Sequence, residues 1–193
     1  RRAMGRVRRS HGDLHLRNIV LSGGRPTLFD AIEFSERLAC IDVLYDIAFL
    51  FMDLEHRGLR GLANTAFNRY LDRTGDRSGL GALPLFLSVR AAVRAHVSAI
   101  SAGSVKPGPA RDELAAEAGT YLTLAQALLS PPPPRLIALG GLSGTGKSTL
   151  ARALAPGVGA VPGAVVPRSD LVRKELMGAA PLARLPQSAY RME

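Results

Sequence analysis

Short apolar runs near the start of the chain give way to longer segments with helical spacing. The first two runs flank the turn sequence SGGR, which predicts a β-hairpin with strands Asn18–Leu21 and Pro26–Phe29. The sequence DVLYDIAFLFMDLEH then predicts a helix over Asp42–His56, because its apolar residues recur every three or four positions. Further helices are predicted over residues 60–73, 82–103 and 110–129.

A run of four prolines, residues 131–134, interrupts this pattern, because proline enters neither helix interiors nor central strands. After it, RLIALG at 135–140 predicts a short buried strand. A Gly-rich loop, a helix over 147–155, a second strand at 164–166 and a helix over 171–177 follow. This alternating order favours a parallel sheet.

We therefore predict an α/β fold with two domains joined by a proline linker. The first domain, residues 1–129, is a short β-ribbon followed by a helical bundle. The linker occupies residues 130–134, and the second domain, residues 135–193, is the first part of a parallel α/β structure.

The composition leaves several kinds of partner open. The 193 residues carry 25 Lys and Arg against 16 Asp and Glu, and the net charge of +9 suits nucleic acid, acidic lipid or phosphorylated ligands. The basic residues are nearly all arginine and are spread along the chain, and aromatic residues that could stack on bases make up only 5%. A nucleic-acid-binding surface is therefore the less favoured interpretation.

Nothing in the sequence predicts export or a membrane partner. No apolar run approaches the roughly 18 residues of a membrane span, and the basic N-terminus lacks the apolar segment of a secretory signal. Cys40 is the only cysteine, and its apolar neighbours predict a buried side chain. We expect a cytoplasmic protein. The chain does not begin with methionine, which suggests an internal piece of a longer protein.

The sequence GLSGTGKS, residues 141–148, matches in full the phosphate-binding pattern G-x-x-x-x-G-K-[ST]. Glycines let backbone N–H groups face phosphate oxygens, and the following helix N-terminus adds a favourable dipole. Lys147 is expected to reach the β- and γ-phosphates of ATP, and Ser148 to bind Mg²⁺. The alternative is a Gly-rich turn that matches by chance. The predicted ATP-binding residues are Gly141, Ser143, Gly144, Thr145, Gly146, Lys147, Ser148 and Thr149.

A second pair of polar residues follows this loop in the sequence SDLVRK. Asp170 comes just after the second predicted strand, where it could accept a proton from an acceptor hydroxyl. Arg173 lies three residues later, on the same helical face, and could hold an anionic group of the substrate. The alternative makes Asp170 a helix N-cap and Arg173 a surface charge.

The sequence HGDLHLRN, residues 11–18, has the spacing of a kinase catalytic loop. In that pattern Asp13 orients the acceptor hydroxyl and takes its proton, and Asn18, five positions later, binds Mg²⁺. Asp30 follows the predicted hairpin, which should return it to the side of Asn18, so that both could share the metal. An ordinary turn and a strand-end carboxylate are the alternatives. His15 could bind metal, although packing within the loop is favoured, and His11 is expected to anchor the loop.

This first motif resembles the catalytic loop of the aminoglycoside phosphotransferase-like kinases. The sequences HGDLHLRNI and LFDAIEF match the catalytic and metal-binding segments of that family, and YDIAFL, with Asp46, resembles the helix start that supports the loop. The resemblance implies a helical, protein-kinase-like C-lobe over residues 1–129, with Asp13 as the catalytic residue and Asn18 and Asp30 as metal ligands.

The second half is similar to the P-loop kinases of the zeta-toxin, gluconate-kinase and polynucleotide-kinase type, on the sequences GLSGTGKST and SDLVRKEL. The order of the two parts resembles bacterial proteins labelled AAA-family ATPases with an aminoglycoside-phosphotransferase-like region. The resemblance implies a kinase that transfers the γ-phosphoryl group of ATP, with Mg²⁺ as cofactor, to a small-molecule hydroxyl that the sequence does not identify. This fragment alone is expected to be almost inactive, because it lacks an N-lobe and later P-loop strands.

Two other functions remain open from the sequence. One is an enzyme with a single working site, the P-loop, in which the kinase-like part only binds or regulates. The other is a nucleic-acid-processing ATPase, suggested by the net charge of +9 alone.

Overall fold

A computed structural model describes residues 1–142, 144–180, 182–186 and 189 of the chain. These residues form a helix-rich structure with two small antiparallel β-ribbons. The strands are β1 (Val7–Arg9), β2 (Ile19–Ser22), β3 (Arg25–Leu28) and β4 (Cys40–Asp42). The α-helices are α1 (Glu36–Ala39), α2 (Val43–His56), α3 (Arg60–Thr74), α4 (Leu83–Ser104), α5 (Pro109–Leu128), α6 (Lys147–Leu154) and α7 (Ser169–Leu176).

The hairpin that the sequence predicted is confirmed. Strands β2 and β3 pair antiparallel from Ile19 opposite Leu28 to Ser22 opposite Arg25. The turn between them is Gly23-Gly24, and both glycines have positive φ, the conformation that such tight turns require. The second ribbon was not predicted, because its strands β1 and β4 are only three residues long and lie far apart in the sequence.

All six predicted helices are also confirmed to within two residues at each end, and α7 differs most, since it starts two residues earlier than predicted. The α2 helix begins at an N-cap aspartate, Asp42, whose carboxylate accepts a hydrogen bond from the Leu44 N–H at 2.8 Å. Helices α2 to α5 enclose one hydrophobic core. Its members include Leu44, Phe51 and Met52 of α2, Phe67 and Leu71 of α3, Leu87 and Ala91 of α4, and Tyr121 and Ala125 of α5.

One described helix has the length and composition of a membrane span. The α4 helix, with the turn before it (Arg77–Ser104), reaches a mean hydropathy of 1.3. Core helices of soluble proteins meet the same criteria, and Leu87 and Ala91 of α4 are fully buried in the helical core. In this structure 39% of the apolar window is buried, and length and composition alone do not show that α4 crosses a membrane.

Residues 135–140 are not a buried strand, so this prediction is wrong. The segment is extended without strand pairing, and Leu136 and Ile137 are 95% and 54% exposed. A strand needs a neighbour to bond its backbone, and no described segment pairs with this one. Residues 164–166, the second predicted strand, do not form a strand either. Both ribbons in the described residues are antiparallel, and the predicted parallel sheet is not among them.

The segment around residue 164 is bonded to α3 instead of to a strand. Asn64 and Asn68 donate side-chain hydrogen bonds to the Ala164 carbonyl at 3.0 and 3.1 Å. The Asn68 side-chain oxygen also accepts from the Val166 N–H at 2.8 Å. Nearby Val165 packs against the helical core. The two asparagines therefore attach the second half of the chain to the first.

Replacing Asn68 with alanine is expected to lower the free energy of unfolding by about 1–3 kcal/mol, because it leaves the Val166 N–H without its partner. Urea denaturation measures the change. Thr65→Ala is the matched control, since the exposed Thr65 bonds only within its own helix, to the Gly61 carbonyl. Equal effects of the two substitutions would mean that the contact with residues 164–166 contributes nothing to stability.

The expected burial of Cys40 is also wrong. Cys40 is the first residue of β4 in the two-stranded β1–β4 ribbon, and its exposed thiol donates to Glu36 at 3.2 Å. That hydrogen bond with Glu36 raises the pKa of the thiol. A raised thiol pKa is the opposite of the lowered pKa that activates a nucleophilic cysteine.

Candidate functional site

The α2 helix holds the HGD loop, residues 11–18, through two buried carboxylates. Asp46 accepts hydrogen bonds from the His11 and Gly12 N–H groups at 3.1 and 2.8 Å. Gly12 has φ 84°, and a Cβ atom there would lie 2.8 Å from the Ile32 side chain. The loop therefore needs glycine at this position. The supporting role that the resemblance implied for Asp46 agrees with these contacts.

Asp53 is the second carboxylate, and the sequence analysis missed it. It lies seven positions after Asp46 on α2, is 3% exposed, and accepts from the Leu16 N–H at 2.9 Å. Seven residues are almost two helical turns, so both aspartates face the same side of α2. Asp46 thus fixes the loop before Asp13, and Asp53 fixes it before Asn18. The spacing D-x-x-x-x-x-x-D on a predicted amphipathic helix was the available signal.

The loop brings Asp13, His15 and Asn18 together. The Asn18 amide donates to the Asp13 carbonyl and to its carboxylate, at 2.9 and 3.0 Å. His15 Nε2 lies 3.2 Å from the same carboxylate oxygen. The hydrogen bond from His15, assisted by Asn18, holds the pKa of the Asp13 carboxyl below its usual value. Since 41% of the Asp13 side chain is exposed, the ionised carboxylate is accessible to a ligand.

The two histidines have structural positions in the loop. His15 is 7% exposed and packs edge-on against the Phe49 ring, with centroids 5.1 Å apart. His11 Nε2 lies 2.9 Å from the Phe29 carbonyl, and the His11 carbonyl accepts from the Ile32 N–H at 2.9 Å. Packing of His15 and anchoring by His11 are therefore confirmed as predicted.

The hairpin returns the chain to the HGD loop at Asp30. The Phe29 N–H donates to the Asn18 carbonyl at 3.1 Å, so the residue before Asp30 lies opposite Asn18. Asp30 is exposed and has φ 58°, a left-handed conformation that costs a non-glycine residue about 1–3 kcal/mol and is concentrated at functional sites. Because the Asn18 amide nitrogen faces Asp13, its oxygen is left for another partner.

The donor set of Asn18 and Asp30 fits Mg²⁺. Both supply hard oxygen atoms, and magnesium is commonly held by one or two such side chains with water and phosphate oxygens completing the shell. Within the described residues, no group of three or more His, Cys, Asp or Glu side chains could hold a metal ion. A cation at this hairpin would therefore depend on oxygen atoms from a bound phosphate.

The Gly-rich loop, residues 141–148, forms a compact turn before α6. Gly144 and Gly146 have φ 80° and 82°, and α6 begins at Lys147. Lys147 Nζ donates to the Gly141 carbonyl at 2.7 Å and to the Leu142 carbonyl, while Thr145 Oγ1 donates to the Leu142 carbonyl at 2.8 Å. The ammonium group therefore lies over its own loop, where a phosphate would be held.

The structure shows fewer contacts for the other predicted ATP-binding residues of this segment. Ser148 and Thr149 are exposed in the first turn of α6. Ser143 lies outside the described residues. The backbone turn and the position of Lys147 are thus the features of the phosphate-binding pattern that the described residues contain.

Asp170 and Arg173 both lie on α7, Asp170 in its first turn and Arg173 in its last. Asp170 accepts from Arg168 Nε and Nη2 at 3.2 and 3.0 Å. The N-cap position of α7 is Arg168, so the alternative that made Asp170 the cap is wrong. No hydrogen bond or ion pair in the described part of the chain joins Asp170 to Lys147. The structure does not bring these two predicted site residues into contact.

Comparison with known proteins finds relatives of undetermined role. Uncharacterized proteins of Mycobacterium bovis and Mycobacterium tuberculosis are 39% identical to the chain over 166 residues, which is 86% of this chain and 32% of each relative. The chain therefore spans about a third of the length of the curated relatives it matches. No family model matches the chain, and no solved structure has a significant match to it.

The length of this similarity bears on the relation between the two halves. A continuous match of 166 among 193 residues must include residues 28–166, wherever it begins. That range holds helices α2 to α6, the proline linker and the Gly-rich loop. The matched part of this chain therefore includes the helical bundle, the proline linker and the Gly-rich loop.

Proposed function

We propose that this chain is part of an ATP-dependent phosphotransferase, a kinase that transfers the γ-phosphoryl group of ATP to a small-molecule hydroxyl. The observation that carries the proposal is the arrangement around Asp13. An accessible carboxylate, kept ionised by His15 and Asn18, projects from a loop whose backbone two buried aspartates hold in place. This is the arrangement that a hydroxyl acceptor needs for proton removal.

At this site Asp13 would accept a hydrogen bond from the acceptor hydroxyl and take its proton as the phosphorus–oxygen bond forms. Positioning supplies most of the rate enhancement in phosphoryl transfer, because the transition state is stabilised chiefly by alignment and charge. The rigid hold of Asp46 and Asp53 on the loop supports that role. Asn18 and Asp30 would hold Mg²⁺, which supplies charge neutralisation for the phosphates when bound.

The Gly-rich loop is proposed as a second ATP site, of the P-loop kinase type. Its glycines turn the backbone around the site, and Lys147 supplies a positive charge over it. Asp170 is proposed to activate the acceptor there, and Arg173 to hold an anionic part of the substrate. These two roles need α7 to approach the loop, since the described structure has no bond between Asp170 and Lys147.

The working enzyme is proposed to be a longer, cytoplasmic polypeptide comparable in length with the mycobacterial relatives. Within residues 1–142, 144–180, 182–186 and 189, the strands form only the two antiparallel ribbons, and no arginine is assigned to the transition state of the P-loop. Alone it should bind Mg·ATP weakly and transfer little or no phosphate.

Replacing Lys147 with alanine is expected to weaken Mg·ATP binding by this chain about tenfold to a hundredfold, the loss of a charge-assisted contact. Isothermal titration calorimetry measures the change. Asp30→Ala is expected to leave the affinity nearly unchanged, because the proposal assigns the nucleotide affinity of this chain to the Gly-rich loop.

Lys106→Ala is the matched control for charge, since Lys106 is exposed and lies outside both motifs. Unchanged affinity of the Lys147→Ala variant would mean that the Gly-rich loop does not hold phosphate. If the unmodified chain failed to bind Mg·ATP at millimolar concentration, the proposed P-loop site would be contradicted in this chain.

A further inference from the structure

Beneath the HGD loop lies a buried arginine that neither sequence motif contains. Arg90, on α4, is 6% exposed. Its Nε donates to the Tyr45 carbonyl at 3.1 Å, and its guanidinium carbon lies 3.9 Å from the Tyr45 ring centroid and 4.7 Å from that of Phe49. Burial without full hydrogen bonding is costly for a charged group, and it lowers the pKa of Arg90.

The unsatisfied end of Arg90 faces the carboxylate that holds the loop. Arg90 Nη2 lies 3.8 Å from Asp46 Oδ1, close enough for strong attraction but too far for a hydrogen bond. This nitrogen is buried and has no hydrogen-bond partner. The same Asp46 oxygen accepts from the Gly12 N–H. Arg90 is thus the cationic side chain that faces the 8%-exposed Asp46.

A second route connects Arg90 to the predicted catalytic carboxylate. Phe49 lies under the guanidinium and also packs against His15, which contacts Asp13. Arg90 therefore supports the loop on both sides of Asp13: through Asp46 at His11 and Gly12, and through Phe49 at His15.

We propose that Arg90 is a positioning residue of the HGD loop, which holds the Asp46 carboxylate in the place from which it accepts from the His11 and Gly12 N–H groups. Removing Arg90 would take away the opposite charge 3.8 Å from the buried Asp46 carboxylate, and the hold of this carboxylate on the two N–H groups would weaken. Any effect of Arg90 on phosphoryl transfer rests on the proposed function, whereas its effect on the loop backbone does not.

Amide hydrogen exchange, followed residue by residue by NMR without nucleotide, tests this proposal. In Arg90→Met, the His11 and Gly12 amides are expected to exchange about tenfold faster relative to amides in the middle of α5. Arg90→Lys, which keeps the charge, is expected to restore most of the protection. Arg94→Met is the matched control, because Arg94 also lies on α4 and stacks on an aromatic ring, that of Tyr121, away from Asp46.

The outcomes separate a positioning role from a general contribution to stability. Unchanged exchange at His11 and Gly12, or acceleration that is equal across α5, would overturn the proposal. If Arg90→Met does not fold, Arg90→Gln, which removes the charge but keeps a polar end group, gives the same comparison. Failure of Mg·ATP binding at Lys147 would leave this result untouched, so the two proposals fail independently.

Discussion

In the longer polypeptide carrying Lys147→Ala, which silences the second proposed site, asparagine in place of Asp13 is expected to reduce phosphoryl transfer from ATP roughly 10²- to 10⁴-fold, the contribution of a general base. Asparagine keeps the size of the side chain and an oxygen that can still accept from His15 and Asn18. It has no negative charge with which to take the proton of a hydroxyl. The affinity for Mg·ATP should therefore change far less than the turnover number.

Steady-state formation of ADP and of phosphorylated product from a panel of hydroxyl-bearing small molecules measures this effect. Asp112→Asn is the control, because Asp112 is an exposed aspartate in the first turn of α5. A fall in Mg·ATP affinity as large as the fall in turnover would indicate that Asp13 binds nucleotide and is not a base.

The largest loss of stability is expected for Asp76→Ala, about 3–5 kcal/mol. Asp76 is fully buried, and its carboxylate accepts from both Nη atoms of Arg1 at 2.8 Å and from the Tyr70 hydroxyl at 2.6 Å. Arg6 lies 3.6 Å away. Removing Asp76 would leave the partly buried Arg1 and the Tyr70 hydroxyl without their shared acceptor, although Arg1 also contacts Asp42.

The pH dependence of the free energy of unfolding tests whether the Asp76 carboxylate is the source of this stability. The hydrogen bonds from Arg1, assisted by Tyr70, lower the pKa of Asp76 from 3.8 to about 2. Because the folded-state pKa lies below the unfolded one, the contribution is complete above about pH 4 and is lost as the pH falls toward 2. Urea denaturation at pH 2–5 should therefore show a steeper loss in the unmodified chain than in Asp76→Ala. Similar slopes would contradict the assignment, and Asp72→Ala, an exposed aspartate on α3, is the control.

Much of the first half could be predicted because its signals are local. Periodicity predicted α2 to α5, and a turn sequence between two apolar runs predicted the β2–β3 hairpin. The HGD loop was recognisable because residue type and spacing along eight consecutive positions determine its chemistry. The supporting role of Asp46 could be predicted because the sequence YDIAFL resembles the helix start that supports this loop in the family.

Long-range contacts explain most of what the sequence did not predict. Asp53 contacts the loop from α2, and Arg90 supports it from α4 through Asp46 and Phe49. Periodicity alone does not predict how these helices are rotated relative to the loop. Residues 135–140 have the composition of a buried strand, but composition does not supply a partner strand. Residues 164–166 do not form a strand because Asn64 and Asn68 of α3 hydrogen-bond to their backbone. This is a tertiary contact between positions far apart in the sequence.

The central claim, that the HGD loop carries out phosphoryl transfer alongside a P-loop, is tested most directly by assaying Asp13→Ala and Lys147→Ala side by side in the longer polypeptide. The measurement is transfer of the γ-phosphoryl group from Mg·ATP. The account predicts that each substitution removes part of the transfer and that the double variant removes nearly all of it. Full activity in Asp13→Ala, with none in Lys147→Ala, would contradict it and leave the P-loop as the single working site.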